Sequence, residues 1–215
     1  MKINLNDMNK KYYAVRKGFK VGIFDNWEEC KQSVQKYSSA EYKSFKRYED
    51  AVKFINGEED NNTITDTDIA ESYKVYCDGS CNRDKHIYSY GSVILNPNDE
   101  VIVRMYQGYE NTEFAQFANI AGECFGVLES LEYCKEHNIS KVIIYHDYLG
   151  VKMWALGSWQ TNSAISKYYS DKIKEYRELI DFKFIWIKGH NKNHYNEEAD
   201  QLAKMGLKVF IKSFL

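Results

Sequence analysis

Tyr73-Lys74-Val75-Tyr76-Cys77-Asp78-Gly79-Ser80 reads as an alternating β-strand that runs into an acid followed at once by a glycine. A carboxylate at the end of such a strand is costly to bury unless a cation or a partner stabilises it. Three more acids stand in comparable settings. Glu123 ends Asn119-Ile120-Ala121-Gly122-Glu123, Asp147 closes Val142-Ile143-Ile144-Tyr145-His146-Asp147, and Asp200 ends Asn196-Glu197-Glu198-Ala199-Asp200, ten residues after Gly189-His190. Spread over 123 positions, the four are not one surface charge run.

The segments around them predict an α/β unit over residues 73–215. Two strands, near 91–95 and 101–105, follow the first across a turn at Pro97-Asn98 and make an antiparallel meander with it. A helix over 118–137 carries Ile120, Cys124, Val127, Leu128 and Leu131 at helical spacing. The strand 141–147 returns across that helix and is predicted parallel to the first. A helical region between 149 and 180, a strand over 182–187, the His190 loop and a final helix to Gly206 complete the order β-β-β-α-β-α-β-α. Asp78 and Asp147 then end neighbouring parallel strands, where sites in open α/β sheets collect. Glu123 leans over the same edge from the intervening helix, and Asp200 reaches it from the last one. Four carboxylates at one point would hold one another protonated by repulsion. Two bound Mg²⁺ ions, or Mn²⁺, remove the conflict and suit phosphodiester hydrolysis by an activated water.

Ahead of this unit lies a smaller one. Residues 1–10 are polar, and 11–56 predict a compact module. It has a strand near Tyr12, a second at Val21-Gly22-Ile23-Phe24, a helix to about Tyr37 capped by Asp25 or Asn26, a short strand over 40–45 and a helix over 49–55. Residues 57–72, rich in Asp, Glu, Asn and Thr, form an acidic linker expected to stay extended or disordered.

The net charge of −2 conceals an asymmetry. Residues 1–55 hold twelve Lys/Arg against seven Asp/Glu, hence +5, and the remainder is −7. A hydrophobic fraction of 44% allows a packed core. No apolar run approaches the ~18 residues of a membrane helix, and Met1-Lys2-Ile3-Asn4-Leu5 lacks a signal-peptide core. The expected location is the cytoplasm, with no membrane and no obligate protein partner. Five cysteines, including Cys77 and Cys81 about Asp78, match no zinc spacing and read as small core residues in a reducing compartment.

The four motifs, in this order, resemble those of a type 1 ribonuclease H catalytic domain: Y-C-D-G-S, N-I-A-G-E, I-I-Y-H-D and G-H-N-K-N-H-Y-N-E-E-A-D-Q-L-A. Residues 11–55 are similar to that family's N-terminal hybrid-binding domain, which also occurs in plant pararetroviral inclusion-body proteins. The similarity lies in Tyr12-Tyr13-Ala14-Val15-Arg16-Lys17-Gly18, Val21-Gly22-Ile23-Phe24, Trp27-Glu28-Glu29-Cys30 and Tyr42-Lys43-Ser44-Phe45. The resemblance implies a ribonuclease H-like mixed five-stranded sheet flanked by helices, preceded by a small α/β domain. It implies an endonuclease that hydrolyses the RNA strand of RNA–DNA hybrids with little sequence specificity, leaving 3′-hydroxyl and 5′-phosphate ends. By it, Asp78, Glu123, Asp147 and Asp200 are the metal-binding catalytic set, and His190 sits on a loop assisting proton movement or product release. Asn119 lies near the minor groove, and Tyr13, Trp27, Tyr42 and Lys43 contact the hybrid. Tyr148 stands where many relatives have serine, Ser44 replaces an expected basic residue, and no basic handle is inserted between Asp147 and Asp200. Two rival classes are a nucleic-acid-binding module that no longer cleaves, and a DNA-cutting or integrating branch of the same fold. Retention of all four acids opposes the first, and the hybrid-binding region and the His190 loop oppose the second.

Overall fold

The computed structural model describes residues 11–56, 64–110, 113–187 and 193–213. The chain divides into two compact units, Met1–Ile64 and Thr65–Leu215.

The first unit is a three-stranded antiparallel sheet, β1 (Tyr12–Lys17), β2 (Gly22–Phe24) and β3 (Glu41–Phe45), in the order β2-β1-β3. Helix α1 (Trp27–Val34) follows β2, and α2 (Tyr48–Asn56) follows β3. Asn26 is the residue that caps α1, its Oδ1 accepting from the Glu29 N–H at 2.9 Å. Alternation along the strands sorts the two faces. Val15 and Phe24 meet Cys30 of α1 on one face, while Phe45 packs on Phe54 of α2 on the other.

The second unit opens with a helix, α3 (Asp66–Glu71), so the extended or disordered state expected for residues 57–72 does not hold over this part. Thr65 and Asp68 cap each other reciprocally at 3.0 Å. Lys141 reaches Glu71 at 2.8 Å and Lys183 reaches Asp68 at 3.1 Å, which ties the helix to the unit that follows. Residues 57–63 of that linker, and residues 1–10, lie outside the described residues.

Strands β4 (Tyr73–Asn82), β5 (Ile87–Leu95), β6 (Val101–Glu110), β7 (Lys141–His146) and β8 (Asp181–Trp186) form one mixed sheet in the order β6-β5-β4-β7-β8. The meander is as expected, and β4, β7 and β8 run parallel. Asn96 makes the β5–β6 turn, its side-chain oxygen accepting from the Asn98 and Glu100 N–H groups at 3.0 Å. Helix α4 (Asn119–Glu136) covers one face, backed by α5 (Leu149–Ala155) and α6 (Ala164–Arg177), and α7 (His194–Lys212) covers the other. Every residue of β5 is therefore buried, on both faces. Val75 and Cys77 point into the α4 core with Cys124, Val127, Leu131 and Tyr169. Tyr76, Val93 and Leu95 point the other way, onto Ala199 and Leu202 of α7. All five cysteines are free thiols, and Cys77 packs beneath Gly126 of α4. No described helix is long and apolar enough to cross a membrane.

Candidate active site

Strand register sets two of the acids. The β4–β7 ladder ends at Tyr76 opposite Tyr145, and two residues beyond each partner stand Asp78 and Asp147. Both side chains leave the sheet on the face that Tyr76 and Tyr145 share.

Glycines bring in the helices. Gly79 points toward α4, where a Cβ would stand 2.6 Å from the Glu123 nitrogen and would strike the Asn119 carbonyl. On the helix, a Cβ at Gly122 would stand 2.8 Å from the Gly79 Cα and would strike the Ser89 carbonyl. This glycine-on-glycine contact lets the first turns of α4 lie against β4, with Glu123 beside Asp78. Gly91, paired with Asp78 across β4 and β5, does the same on the opposite face. A Cβ there would collide with the Ala199 and Ala203 backbone of α7 and stand 2.7 Å from the Leu202 Cβ. Asp200 arrives at the cleft on that helix.

Oxygens of Asp78, Glu123 and Asp147 lie within 4.8 Å of one another. Asp200 and Asn119 line the same cleft, with Gly79 and Tyr148. Asp200 stands outside the tight trio and is paired with Lys204, one turn along α7, at 2.6 Å. His190 lies outside the described residues.

Burial and then the Asp147 charge push the Asp78 carboxyl up to about 7. Burial and then the Asp78 charge push Glu123 well above the usual carboxylate range. Glu123 in its protonated form hydrogen-bonds Asp78, and the Gly79 N–H donates to Asp78 at 2.7 Å. Even so, Glu123 Oε2 is sealed from solvent without a hydrogen-bond partner among the described residues. A buried, unpartnered carboxylate oxygen within a trio of hard oxygen donors fits a divalent cation.

His146 does not join the site. It is fully buried, its Nδ1 donates to the Tyr148 carbonyl at 3.1 Å, and burial followed by the Lys152 charge lowers its pKa to about 3. It is a neutral structural residue beneath Asp147. Gly91, Gly122 and Trp186, whose indole holds the Asp147 carbonyl, were not singled out from the sequence, because each acts on a backbone distant along the chain.

In the first unit, Trp27 sits between Tyr13 and Tyr42, with ring centroids 5.6 and 5.9 Å away. Trp27 is 40% and Tyr42 47% exposed, so the cluster is a surface feature rather than core. Lys43 follows Tyr42 and points to the other face of the sheet, its Nζ 5.4 Å from the Phe45 ring centroid.

The family model described as RNase H matches residues 70–208, and that described as Ribonuclease H1 N-terminal domain matches residues 11–55. Ribonuclease H1 of Rattus norvegicus is 26% identical over 260 residues, covering 92% of this chain and 89% of that protein. Ribonuclease H of Saccharomyces cerevisiae is 50% identical over 44 residues, 20% of this chain and 13% of that protein. Among solved structures, RNase H1 from Halobacterium salinarum aligns with a TM-score of 0.55 at 17% identity, covering 64% of this chain and 98% of that one. LC11-RNase H1 in complex with an RNA/DNA hybrid aligns with a TM-score of 0.52 at 15% identity, covering 63% and 99%. At these identities the structural likeness speaks for the fold.

Proposed function

The chain belongs to the ribonuclease H family, and from that footing we propose that it hydrolyses the RNA strand of RNA–DNA hybrids endonucleolytically, leaving 3′-hydroxyl and 5′-phosphate ends. The observation that carries the reading is the trio Asp78, Glu123 and Asp147 at adjoining strand and helix ends, including a buried Glu123 oxygen with no hydrogen-bond partner among the described residues. Asp78, Glu123 and Asp147 would hold divalent metal, with Asp200 completing the set from α7. Mg²⁺ is the proposed ion, two per site, with Mn²⁺ an alternative. When bound, the ions supply charge neutralisation and activation of water for phosphodiester hydrolysis.

The protein's own contribution is position. Strands β4 and β7 fix Asp78 and Asp147, and the Gly79–Gly122 contact fixes Glu123. Asn119, on the first turn of α4, borders the same cleft and is assigned to the minor groove of the hybrid. His190 is assigned to proton movement or product release. The +5 module supplies hybrid affinity through phosphate neutralisation and the Tyr13–Trp27–Tyr42 surface, with Lys43 adding charge. The proposed location is the cytoplasm.

The test is cleavage of a labelled RNA strand paired to DNA, with duplex DNA and duplex RNA as controls and a titration of Mg²⁺ and Mn²⁺. Metal-dependent cleavage of the hybrid alone is expected, and Asp78→Asn is expected to abolish it while hybrid binding persists. Binding without cleavage by the wild-type chain would favour a binding module, and cutting of duplex DNA a different branch of the fold.

A further inference from the structure

Tyr148 directly follows Asp147 and lines the cleft with Asp78, Asn119, Glu123 and Asp200. Its side chain is seated by its neighbours. Gly150 lies inside α5, where glycine is disfavoured, and it does not adopt a left-handed conformation that would require one. A Cβ at Gly150 would stand 2.6 Å from the Tyr148 Cζ and 2.7 Å from its hydroxyl oxygen, so the glycine opens the space that the phenol occupies. Trp154 packs edge-on against the ring with centroids 5.9 Å apart, and His146 holds the Tyr148 carbonyl. The orientation is thus held by packing on the ring and a hydrogen bond on the backbone, the kind of support that a precise contact needs.

The side chain ends in a phenolic hydroxyl, a group that carries its proton at neutral pH. It takes no hydrogen bond from the described residues. A neutral hydroxyl both donates and accepts, and a ribose 2′-hydroxyl does the same. A phosphate in this cleft would instead be drawn to the cation that the carboxylates would hold.

We infer that Tyr148 is a specificity-determining contact, its hydroxyl hydrogen-bonding a ribose 2′-hydroxyl of the RNA strand lying in the cleft. The inference rests on the hybrid-cleaving function proposed above and adds to it a residue by which RNA is told from DNA.

The experiment measures kcat/KM of wild type and Tyr148→Phe on a series of hybrids, each with one ribonucleotide near the scissile bond replaced by its 2′-deoxy counterpart. Loss of one such hydrogen bond corresponds to roughly fivefold to tenfold. Wild type is expected to lose about that factor at one position, beyond the losses at its neighbours. Tyr148→Phe is expected to lose it on the all-ribose strand and to lose nothing more at that position. The position-by-position pattern is a ratio within one enzyme, so a lowered folded fraction in the variant leaves it unchanged and the pattern decides the test. If Tyr148→Phe keeps the wild-type pattern at every position, the contact is overturned, even where the variant is slower throughout. If wild type cleaves no hybrid, the underlying function fails and this inference with it.

Discussion

The indole Nε1 of Trp186 donates to the backbone carbonyl of Asp147 at 3.0 Å. Trp186 is the last residue of β8 and pairs with His146, the last of β7. Asp147 is therefore the first residue beyond regular pairing, where the chain would otherwise be free to turn. One residue further on, the Ile187 N–H donates to the His146 carbonyl at 2.9 Å. Together these bonds carry the rigidity of the sheet one step past its edge, to the backbone that bears a candidate metal ligand.

Trp186→Phe keeps an aromatic ring in this largely buried position and deletes the donor. The fold is expected to survive with a loss on the order of 1–2 kcal/mol, from the missing hydrogen bond and the smaller ring. Removal of partners that orient metal ligands typically weakens metal affinity 10-fold to 100-fold, so half-maximal activity is expected at a markedly higher Mg²⁺ concentration. A Mg²⁺ titration of hybrid cleavage beside a thermal melt checks this. An unchanged Mg²⁺ requirement at reduced stability would leave Trp186 a packing residue only.

The acid cluster makes metal stabilisation depend on pH. In the metal-free protein the Asp78 carboxyl is pushed up to about 7 from an ordinary 3.8, and burial raises Glu123 well above the usual carboxylate range. Folded protein therefore holds protons that the unfolded chain has released, and stability from these groups falls as pH rises from about 4 through 7. A cation takes the place of those protons. His146, lowered to about 3, works in the opposite direction, with stability lost as pH falls below its unfolded value of 6.5. It enters the metal-bound and metal-free states alike, so the difference between melts in Mg²⁺ and in EDTA isolates the acids. That difference is expected to grow from pH 5.5 to pH 8, reaching about 2.7 kcal/mol at 100 times Kd. Equal differences at both values would contradict the assigned cluster.

Much of this site was legible because its signals are local. Asp78 and Asp147 each close an alternating or apolar run, and helical spacing after Asn119 placed Glu123 near its start. What escaped depends on partners far along the chain. Helix α3 has little apolar periodicity, and its ion-pair partners Lys141 and Lys183 come some 70 or more residues later. The tail of β4, Gly79–Asn82, is polar and glycine-bearing and is held as a strand by pairing with Ile87–Tyr90, a β-prone stretch that the strand expected at 91–95 left out. The single helical region foreseen between 149 and 180 is two helices, because Gly157 adopts a φ of +67° and ends the first. His190 is legible only by resemblance, and its loop lies outside the described residues.

The glycine contact between α4 and β4 has a direct energetic consequence. Gly122→Ala would drive a methyl into the Ser89 carbonyl and to 2.8 Å from the Gly79 Cα, both backbone atoms with no side chain to swing aside. Overpacking of this kind costs about 1–3 kcal/mol, and here the helix can relieve it only by lifting away from the strand. Glu123 would move with it. Gly122→Ala is therefore expected to lower activity more than its stability loss accounts for. Gly126→Ala, whose nearest neighbour is the Cys77 side chain at 3.0 Å, makes the milder comparison. Denaturant melts and cleavage assays on the pair separate the two effects.

In the small module, the aromatic and the cation are separable by salt. Trp27, partly exposed between Tyr13 and Tyr42, is placed to stack on nucleic acid, and stacking is worth about 1–3 kcal/mol per base. Stacking releases no counterions, so Trp27→Ala is expected to weaken hybrid binding by a similar factor at every salt concentration. Lys43 lies on the other face of β3, and a lysine that neutralises a phosphate contributes about one unit to the slope of log affinity against log salt. Lys43→Ala is therefore expected to flatten that slope, with its largest effect at low salt. Deleting residues 1–57 removes the whole +5 region, and is expected to raise KM and flatten the slope further while leaving kcat near wild type. Tyr42→Ala, on the same aromatic surface, repeats the Trp27 test with less risk to the helix that Trp27 begins. Hybrid binding by residues 73–215 alone that matches the full chain across the salt series would move the affinity out of the small module and into the catalytic one.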